Sequence, residues 1–400
     1  MRRYFKILKF FLKSKYVFKN PKNCELVIFD GESPIIFDNF IFNYEFFLLE
    51  CRLTKITKIY FTFKILKLFF KYYKGNIMTA YLVALLKVIG PKVVLTNIDI
   101  SFKFFDLAKI LHKEIHFVAV QNAARYDIFE HIHLHKKKKN KTNLNKRIFI
   151  PNFLTLGQVD IDHYKKYKIK VKRFFKVGSL NLANFFHYIK KKKINLRKSK
   201  YDICLISEIG YERNKTYGEK HMEQGVADMI KFTIKFSRKN KMKFIFAWKR
   251  NKKTNFEAYM RELNFLKKYL SNDEMNYLHA NSMKKNLKSY SSYLAMAQSK
   301  VTVGVWSTML REQLATGRKV LSCNLLRVNF FNFPIGGICT IKNCTYTKFE
   351  KRLMNIYKMS DKKYFSKLGR DKCYMVNYEK NNSTINIIKR KIDFFLSKNK

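Results

Sequence analysis

The chain is short of acidic residues. Its 400 residues include 29 Asp and Glu against 82 Lys and Arg, which gives a formal net charge of +53. A field of this sign favours polyanionic partners, namely nucleic acid, an anionic membrane surface or phosphorylated substrates. A low-GC coding bias accounts for part of the excess, because Lys, Asn, Ile, Phe and Tyr are all abundant. The charge alone identifies neither a fold nor a chemistry.

Long apolar runs and paired cysteines are also missing. No apolar run reaches the roughly 18 residues that span a bilayer, and the basic start lacks a small-residue cleavage site, so we expect neither a transmembrane helix nor a signal peptide. The seven cysteines are scattered, and no two form a CxxC pair. They predict reduced thiols in the cytoplasm and no zinc site.

The apolar content is nevertheless that of a folded protein with more than one core. Hydrophobic residues make up 47% of the chain, and its length suits two domains. Apolar strands, among them 59–63, 92–96 and 201–207, alternate with helical segments such as 102–111, which predicts an α/β fold with parallel sheets. Residues 329–341 are predicted to form a loop. The lysine-rich segment 190–200 lacks apolar periodicity. We therefore divide the chain into a first domain, 1–192, and a second, 198–400.

Residues 301–324 are predicted to form a strand–helix–strand unit. Three alternating valines indicate the first strand, and Ser307 and Thr308 follow where hydroxyl side chains cap a helix. Gly317 ends the helix before a second strand at 319–324. A helix that begins at the carboxyl end of a strand offers unpaired amides to a phosphate.

Glu312 lies one turn into this predicted helix. Its carboxylate is suited to accept hydrogen bonds from ribose hydroxyls. The alternative is an ordinary strand–helix–strand unit with a capping serine and a solvated Glu312. We expect replacement of Glu312 by alanine to weaken binding of a ribose-containing donor ligand with little loss of fold stability.

Polar residues also follow the predicted strands of the first half. Asp99 comes after a strand at 92–96, and Gln121, Asn122 and Arg125 come at the end of the next one. Carboxyl ends of neighbouring parallel strands meet at one rim of a sheet, so these side chains are predicted to lie together. Asp99 could instead cap the following helix, and the two amides could satisfy backbone groups in a turn.

Two patterns resemble metal-ligand sets, and we interpret neither as a metal site. Three alternating histidines precede a lysine run, without a nearby carboxylate or cysteine to complete the set: His131, His133 and His135. Asp160 and Asp162 form a D-x-D at a predicted helix start, where acidic residues favour the helix dipole. We therefore expect no metal and no cofactor.

Tyr4–Phe18 has apolar residues at helical spacing among lysines. This pattern predicts an amphipathic helix that either lies on an anionic membrane surface or packs on its own domain.

Five short motifs occur in a fixed order along the chain: D-G at Asp30, T-x-I-D at Thr96–Asp99, Q-N-x-x-R at Gln121–Arg125, G-S at Gly178–Ser179 and S-T-x-x-x-E-x-x-x-x-G at Ser307–Gly317. This order resembles that of the bacterial surface carbohydrate biosynthesis proteins, which are GT-B-like and distantly related to CDP-glycerol glycerophosphotransferases. The resemblance covers about residues 26–387. Ala123 departs from it, because the family carries glycine there.

The resemblance implies two Rossmann-like parallel-sheet domains that face a central cleft, with C-terminal helices that cross back to the first domain. It also implies a cytoplasmic glycosyltransferase of surface polysaccharide biosynthesis. The basic charge leaves a peripheral location on the inner face of the plasma membrane as one alternative. Such an enzyme would transfer a sugar from a nucleotide sugar to a lipid-linked or glycan acceptor without a bound metal.

Candidate roles combine the strand-end positions with this resemblance. Asp99 and Glu208 are candidate general bases, since each follows a strand and would face the cleft. The donor-binding candidates are cations, helix-start hydroxyls and neighbours: Lys249, Arg250, Ser307, Thr308, Glu312 and Gly317. The acceptor-binding candidates are Gln121, Asn122, Arg125, Gly178 and Ser179.

Three other functions stay open. A CDP-glycerol-type phosphotransferase would use the same cleft, but those relatives usually carry a His-Pro segment where this chain has residues 247–250. A nucleic-acid-binding protein should show a recognisable module of basic and stacking aromatic residues, and none is found, so we expect no specific nucleic acid. The third is a membrane-peripheral scaffold with a GT-B shape and no activity.

Overall fold

The structure is a computed structural model of the chain. It describes residues 14–31, 33–52, 56–124, 147–196, 198–208, 221–283, 286 and 289–398. Arg125, the three alternating histidines and most of the helix predicted at Tyr4–Phe18 lie outside these ranges.

Six parallel strands form the sheet of the first domain, in the order β3-β2-β5-β6-β7-β8. Two further short strands, β1 and β4, pair with each other in parallel outside this sheet. Their bounds are β1 Lys15–Val17, β2 Leu26–Phe29, β3 Phe46–Leu49, β4 Lys58–Tyr60, β5 Val93–Thr96, β6 His116–Val120, β7 Phe149–Thr155 and β8 Lys170–Lys176. The central strands are buried along their whole length, as a sheet covered on both faces requires.

Helices cover both faces of this sheet. Their bounds are α1 Ser33–Ile41, α2 Phe63–Tyr72, α3 Ile77–Ile89, α4 Phe102–Leu111, α5 Gln158–Lys166 and α6 Leu180–Lys192. The N-cap side chains of α3, α4 and α6 are Asn76, Ser101 and Ser179, and each accepts a hydrogen bond from an amide of the first turn. Gly90 ends α3 in the left-handed conformation, with φ 68°.

The second sheet is also parallel and has the order β11-β10-β9-β12-β13-β14. Its strands are β9 Tyr201–Ile206, β10 Phe244–Ala247, β11 Ser282–Met283, β12 Ser299–Gly304, β13 Lys319–Asn324 and β14 Thr340–Lys342. The direction of winding reverses between β9 and β12. Ligands of open α/β sheets bind outside the carboxyl ends of the strands at such a reversal.

The remaining helices surround this sheet and then return to the first domain. They are α7 His221–Lys239, α8 Phe256–Tyr269, α9 Asn272–Ala280, α10 Ser291–Ala297, α11 Thr308–Ala315, α12 Tyr346–Lys358, α13 Asp361–Ser366 and α14 Thr384–Ser397, with a 3-10 turn at Asn329–Phe331. In the described part of the chain, no helix combines the length and the apolar character needed to cross a bilayer.

The C-terminal segment lies against the first domain. The amide of Asn377 donates to the carbonyl of Leu156 at 2.7 Å, and the amide of Val159 donates to the carbonyl of Tyr374 at 3.1 Å. Helix α14 then packs on α1, α6 and β5. Its Ile388 and Phe395 are buried in the core on that face of the first sheet.

Several predicted elements differ from the structure. Lys15–Val17 is a strand, although the pattern predicted a helix through Phe18. The strand predicted at 59–63 forms as β4 but pairs with β1, and β3 takes the place beside β2 instead. The segment 329–341, predicted as a loop, contains a 3-10 turn and most of β14. The domain boundary at residues 192–198 stays a prediction.

Candidate functional site

The two domains meet through the loops that follow their strands. After β6, the amide of Ala124 donates to the hydroxyl of Thr308 in the second domain at 3.0 Å. After β8, the hydroxyl of Ser179 donates to the carboxylate of Glu312. Both partners belong to α11, the helix that follows β12. The start of this helix therefore lies in the interface between the two sheets.

Glu208 occupies the switch point of the second sheet. It follows β9, and its Oε1 accepts hydrogen bonds from the amides of Val305, Trp306 and Ser307 at 2.7, 3.1 and 3.2 Å. Burial raises the pKa of Glu208, while these amides act in the opposite direction. The amides that lead into α11 thus hold an internal carboxylate. The candidate base Glu208 is buried and fills the position predicted for a donor phosphate.

A second buried carboxylate, Glu262 on α8, holds the turn after β10. It accepts hydrogen bonds from the amides of Lys249 and Arg250 at 3.1 and 2.9 Å and from the hydroxyl of Ser207. Burial is the main cause that raises its pKa. Glu262 thus fixes the backbone of this turn, in which Lys249 is exposed and Arg250 is half-buried. Glu262 lies within a helical segment, and no motif in the sequence distinguishes it.

Glu312 is buried rather than solvated, with 1% of its surface exposed. One oxygen accepts from Ser179, and the other accepts from the hydroxyl of Tyr293 at 2.8 Å. Burial raises the pKa of Glu312 to about 7. Alanine at this position would leave two buried hydroxyls without their acceptor, at a cost of about 1–3 kcal/mol. The structure therefore leads us to expect a loss of stability from this substitution, in contrast to the expectation from the sequence.

The other predicted donor residues have structural contacts of their own. Ser307 is the N-cap of α11, and its hydroxyl accepts from the amide of Met309 at 3.3 Å. The hydroxyl of Thr308 accepts a hydrogen bond from the amide of Ala124 in the first domain. Gly317 has φ +84°, which confirms that it ends the helix in the left-handed conformation.

Gln121 of the predicted acceptor side is a buried connector. Its Nε2 donates to Asp160 Oδ1 at 2.8 Å and to the carbonyl of Ala123 at 3.0 Å. Its Oε1 accepts from the amide of Leu156 at 3.0 Å. The side chain therefore ties the end of β6 to the start of α5. The carbonyl of Asn122 accepts from Asn181 at 3.4 Å.

Gly178 and Ser179 lie beneath the returning C-terminal segment. Gly178 has φ +91°, and a Cβ there would overlap the backbone oxygen of Asn377. Asp99, the other candidate base, is completely buried after β5. It does not cap the next helix, since Ser101 does so. Among the described residues, no set of three metal-ligating side chains is grouped to hold an ion.

A cavity of about 900 Å³, missed by the sequence analysis, lies at the carboxyl ends of β10 and β11. Its aromatic wall consists of Trp248, Tyr259 and His279, and the ring of Trp248 is 5.6 Å from each of the other two. Ser282 and Ser289 contribute hydroxyls. The signal in the sequence was Trp248 itself, a large aromatic residue directly after a strand.

Comparisons with solved structures cover nearly the whole chain. UDP-GlcNAc 2-epimerase of Methanocaldococcus jannaschii, in complex with UDP-GlcNAc and UDP, is 11% identical with a TM-score of 0.51, and the match covers 92% of this chain and 99% of that one. A variant of the wall teichoic acid polymerase TagF is 9% identical with a TM-score of 0.50, and the match covers 95% of this chain and 91% of that one. The α,α-trehalose 6-phosphate synthase of Burkholderia multivorans is 8% identical with a TM-score of 0.50, and the match covers 94% of this chain and 97% of that one.

No family model and no curated protein sequence matches the chain. The likeness is therefore one of architecture, and it extends over both sheets and their order of elements. The chain has the GT-B fold that the order of its motifs predicted, with two Rossmann-like parallel-sheet domains that meet at the carboxyl ends of their strands.

Proposed function

We propose that the chain is a glycosyltransferase that binds a nucleotide sugar at the carboxyl edge of the second sheet and transfers the sugar without a metal ion. The observation that carries this proposal is the cavity beside Trp248. It opens at β10 and β11, and β10 is the direct neighbour of β9 at the switch point. Open α/β sheets bind their ligands in this region.

The cavity has the size and lining of a nucleotide site. Its volume of about 900 Å³ falls in the range of small-molecule pockets, roughly 300–1,000 Å³. The half-buried Tyr259 and the exposed His279 offer ring faces to a base, and the buried Trp248 packs against both of them. The hydroxyls of Ser282 and Ser289 offer hydrogen bonds to the polar edge of that base.

The rim of the cavity supplies positive charge for a departing diphosphate. Four of the five residues at 249–253 are basic. Cations placed at the leaving group stabilise the charge that develops on it, which is the main demand of this transfer. Because Glu208 holds the amides that lead into α11, we assign the diphosphate to the segment 249–253 and not to those amides.

The acceptor side of the proposal follows the sequence predictions. The acceptor is a hydroxyl of a lipid-linked or glycan molecule in surface polysaccharide assembly, and Asp99 or Glu208 is its general base. Glu312 binds the donor ribose only after Ser179 leaves its carboxylate. Donor binding is therefore coupled to separation of the two domains in this proposal.

Thermal unfolding with a panel of nucleotides tests the proposal. Uridine, cytidine, guanosine and adenosine diphosphates and their sugar conjugates are added separately, and a specific ligand should raise the melting temperature by mass action. Replacement of the exposed His279 by alanine should reduce that rise, because the base loses part of its aromatic wall. His187→Ala, at an exposed histidine on α6, is the matched control.

Tryptophan fluorescence gives a second readout. The chain has only two tryptophans, Trp248 and Trp306. Trp306→Phe therefore leaves Trp248 as the sole reporter, and a base in the cavity should quench it. If no nucleotide changes the melting temperature or this fluorescence, the proposed donor site is wrong.

A CDP-glycerol-type phosphotransferase is the second candidate, favoured by the likeness in fold to the wall teichoic acid polymerase. It predicts that CDP-glycerol stabilises the chain more than any nucleotide sugar does. The same panel separates the two functions.

A further inference from the structure

Helix α2 presents two phenylalanine rings to solvent. Phe63 is 84% exposed and Phe70 is 72% exposed. They are seven residues apart, so they lie on the same face, about 10 Å apart along the helix axis. The inner face packs on α3, and Ile65 is its buried residue. The exposed rings are therefore not the core-facing side of this helix.

Further aromatic residues extend this face at the end of the β1–β4 pair. Phe18 is 73% exposed, and its ring meets that of Phe61 edge to face at 6.4 Å. The amide of Phe61 donates to the carbonyl of Val17, and the hydroxyl of Thr62 donates to Asn20 Oδ1 at 2.7 Å. These bonds fix the end of β1 beside the start of α2. Phe18 and Phe61 therefore lie at the start of α2, where Phe63 is the first residue. These three residues and Phe70, with the lysines among them, are here termed the basic aromatic surface.

The charge on this surface has one sign. The segments 14–20 and 56–77 contain seven lysines and no Asp or Glu. Lys64 and Lys67 lie between the two exposed rings of α2 in the sequence, and Lys71 directly follows Phe70. All three lysines are exposed. Within the described ranges, none of these three forms an ion pair with a carboxylate.

We propose that the basic aromatic surface docks on an anionic lipid bilayer. The phenylalanine rings enter the boundary between headgroups and acyl chains, and the lysines contact lipid phosphates. A helix with apolar rings interleaved with lysines has the composition of interfacial helices that lie in the membrane plane. Each lysine near an anionic surface adds attraction, and the attraction is screened by salt.

The shape favours a bilayer over nucleic acid. Single strands are bound in grooves or on sheets, where successive bases stack on aromatic rings. The rings of α2 instead project from the outer side of a single helix, and they need an apolar medium that accepts them together. This inference is independent of the proposed enzymatic function, since it uses no residue of the cavity beside Trp248.

Vesicle co-sedimentation of the complete protein tests the inference. Vesicles of phosphatidylglycerol mixed with phosphatidylcholine should bind the protein, and vesicles of phosphatidylcholine alone should bind it weakly. The triple change Lys64→Glu, Lys67→Glu and Lys71→Glu should lower the partition coefficient at least about tenfold. Its control has the same change in net charge at three exposed lysines of α12: Lys348, Lys351 and Lys358.

The aromatic part has its own pair of variants. Phe63→Ser with Phe70→Ser should lower partitioning about tenfold or more, because apolar surface no longer enters the bilayer. Phe256→Ser, at a 57% exposed ring of the second domain, should leave it unchanged. A third variant, Phe63→Trp, places a reporter that brominated lipids should quench. Melting temperatures close to that of the parent protein show that the variants fold.

Three outcomes overturn the proposal. In the first, control and surface variants lose binding equally, so general charge is responsible. In the second, no surface variant loses binding. In the third, the lysine variants lose tight, salt-resistant binding of duplex DNA while vesicle binding is retained, which assigns the surface to nucleic acid. Nucleotide binding in solution is measured separately, so failure here leaves the proposed function intact.

Discussion

The hydroxyl of Ser179 in the first domain donates a hydrogen bond to the carboxylate of Glu312 in the second. Tyr293 donates to the other carboxylate oxygen. Together these contacts place an ionisable group in the middle of the domain interface. The state of this one group thus affects how firmly the two domains are held together.

The stability of the protein should depend on pH through Glu312. Its pKa is about 7 in the folded chain against 4.5 for an ordinary glutamate. Between these values the folded chain binds more protons than the unfolded chain, so stability falls as pH rises, by at most about 3 kcal/mol. Glu312→Gln removes the buried charge. The change in unfolding free energy caused by Glu312→Gln should therefore be more favourable at pH 8 than at pH 5.

Urea unfolding at the two pH values measures this difference. The exposed Glu257→Gln is the control, and its effect should be the same at both. An equal effect of Glu312→Gln at pH 5 and pH 8 would show that Glu312 does not titrate in this range.

Removal of the Glu208 carboxylate should create an anion site. Glu208→Ala leaves the amides of Val305, Trp306 and Ser307 without their acceptor, so we expect a loss of about 2–4 kcal/mol in unfolding free energy. Phosphate or sulfate should then raise the melting temperature of this variant and so recover part of the loss, because the vacated amides lead into a helix.

Glu262→Ala provides the comparison for this experiment. It also removes the acceptor of two backbone amides, but these lie in the turn after β10 and not at a helix start. Phosphate should rescue the Glu208 variant more than the Glu262 variant or the parent. Equal rescue of all three would contradict the interpretation of these amides as a filled anion site.

Attachment of the C-terminal segment can be measured at two glycines. Gly178 and Gly75 both have positive φ, +91° and +82°. A Cβ at Gly178 would overlap the backbone of Asn377, whereas at Gly75 nothing lies within 4 Å. Gly75→Ala should cost only the left-handed conformation, about 1–2 kcal/mol. Gly178→Ala should cost about 1–3 kcal/mol more, since it also forces the segment away.

Chemical unfolding of the two variants gives these free energies, and limited trypsin digestion reports the segment directly. Cleavage near residue 380 should accelerate in the Gly178 variant alone. Similar free energies and similar digestion would mean that the C-terminal segment contributes little to the first domain.

Local sequence patterns predicted most elements of the fold. Helix α4 was predicted with its observed bounds, and strand β9 was placed correctly, because apolar periodicity and clear breaks specify them. Strands β3, β11 and β14 were missed. They are two to four residues long, and only their pairing with longer neighbours makes them strands. Tertiary pairing of this kind leaves little trace in local sequence.

The site was harder to predict than the fold. Their positions at strand ends predicted that Glu208, Ser307 and Glu312 would face the same cleft, since strand ends share an edge. These positions gave no indication that Glu208 would fill the amides before α11, or that Glu312 would bond the first domain. Both contacts join residues about a hundred or more positions apart. No local sequence pattern predicts contacts between residues so far apart in the chain.

Helix α14, the last element of the described chain, completes a core whose first strand begins at Leu26. During synthesis, that face of the first sheet therefore stays uncovered until residues 384–397 have left the ribosome. Nascent protein carries an unshielded apolar surface throughout this interval, which exposes it to aggregation. A message truncated before the codon of Thr384 would yield a product with that surface permanently open, and we expect such a product to be removed by cellular quality control.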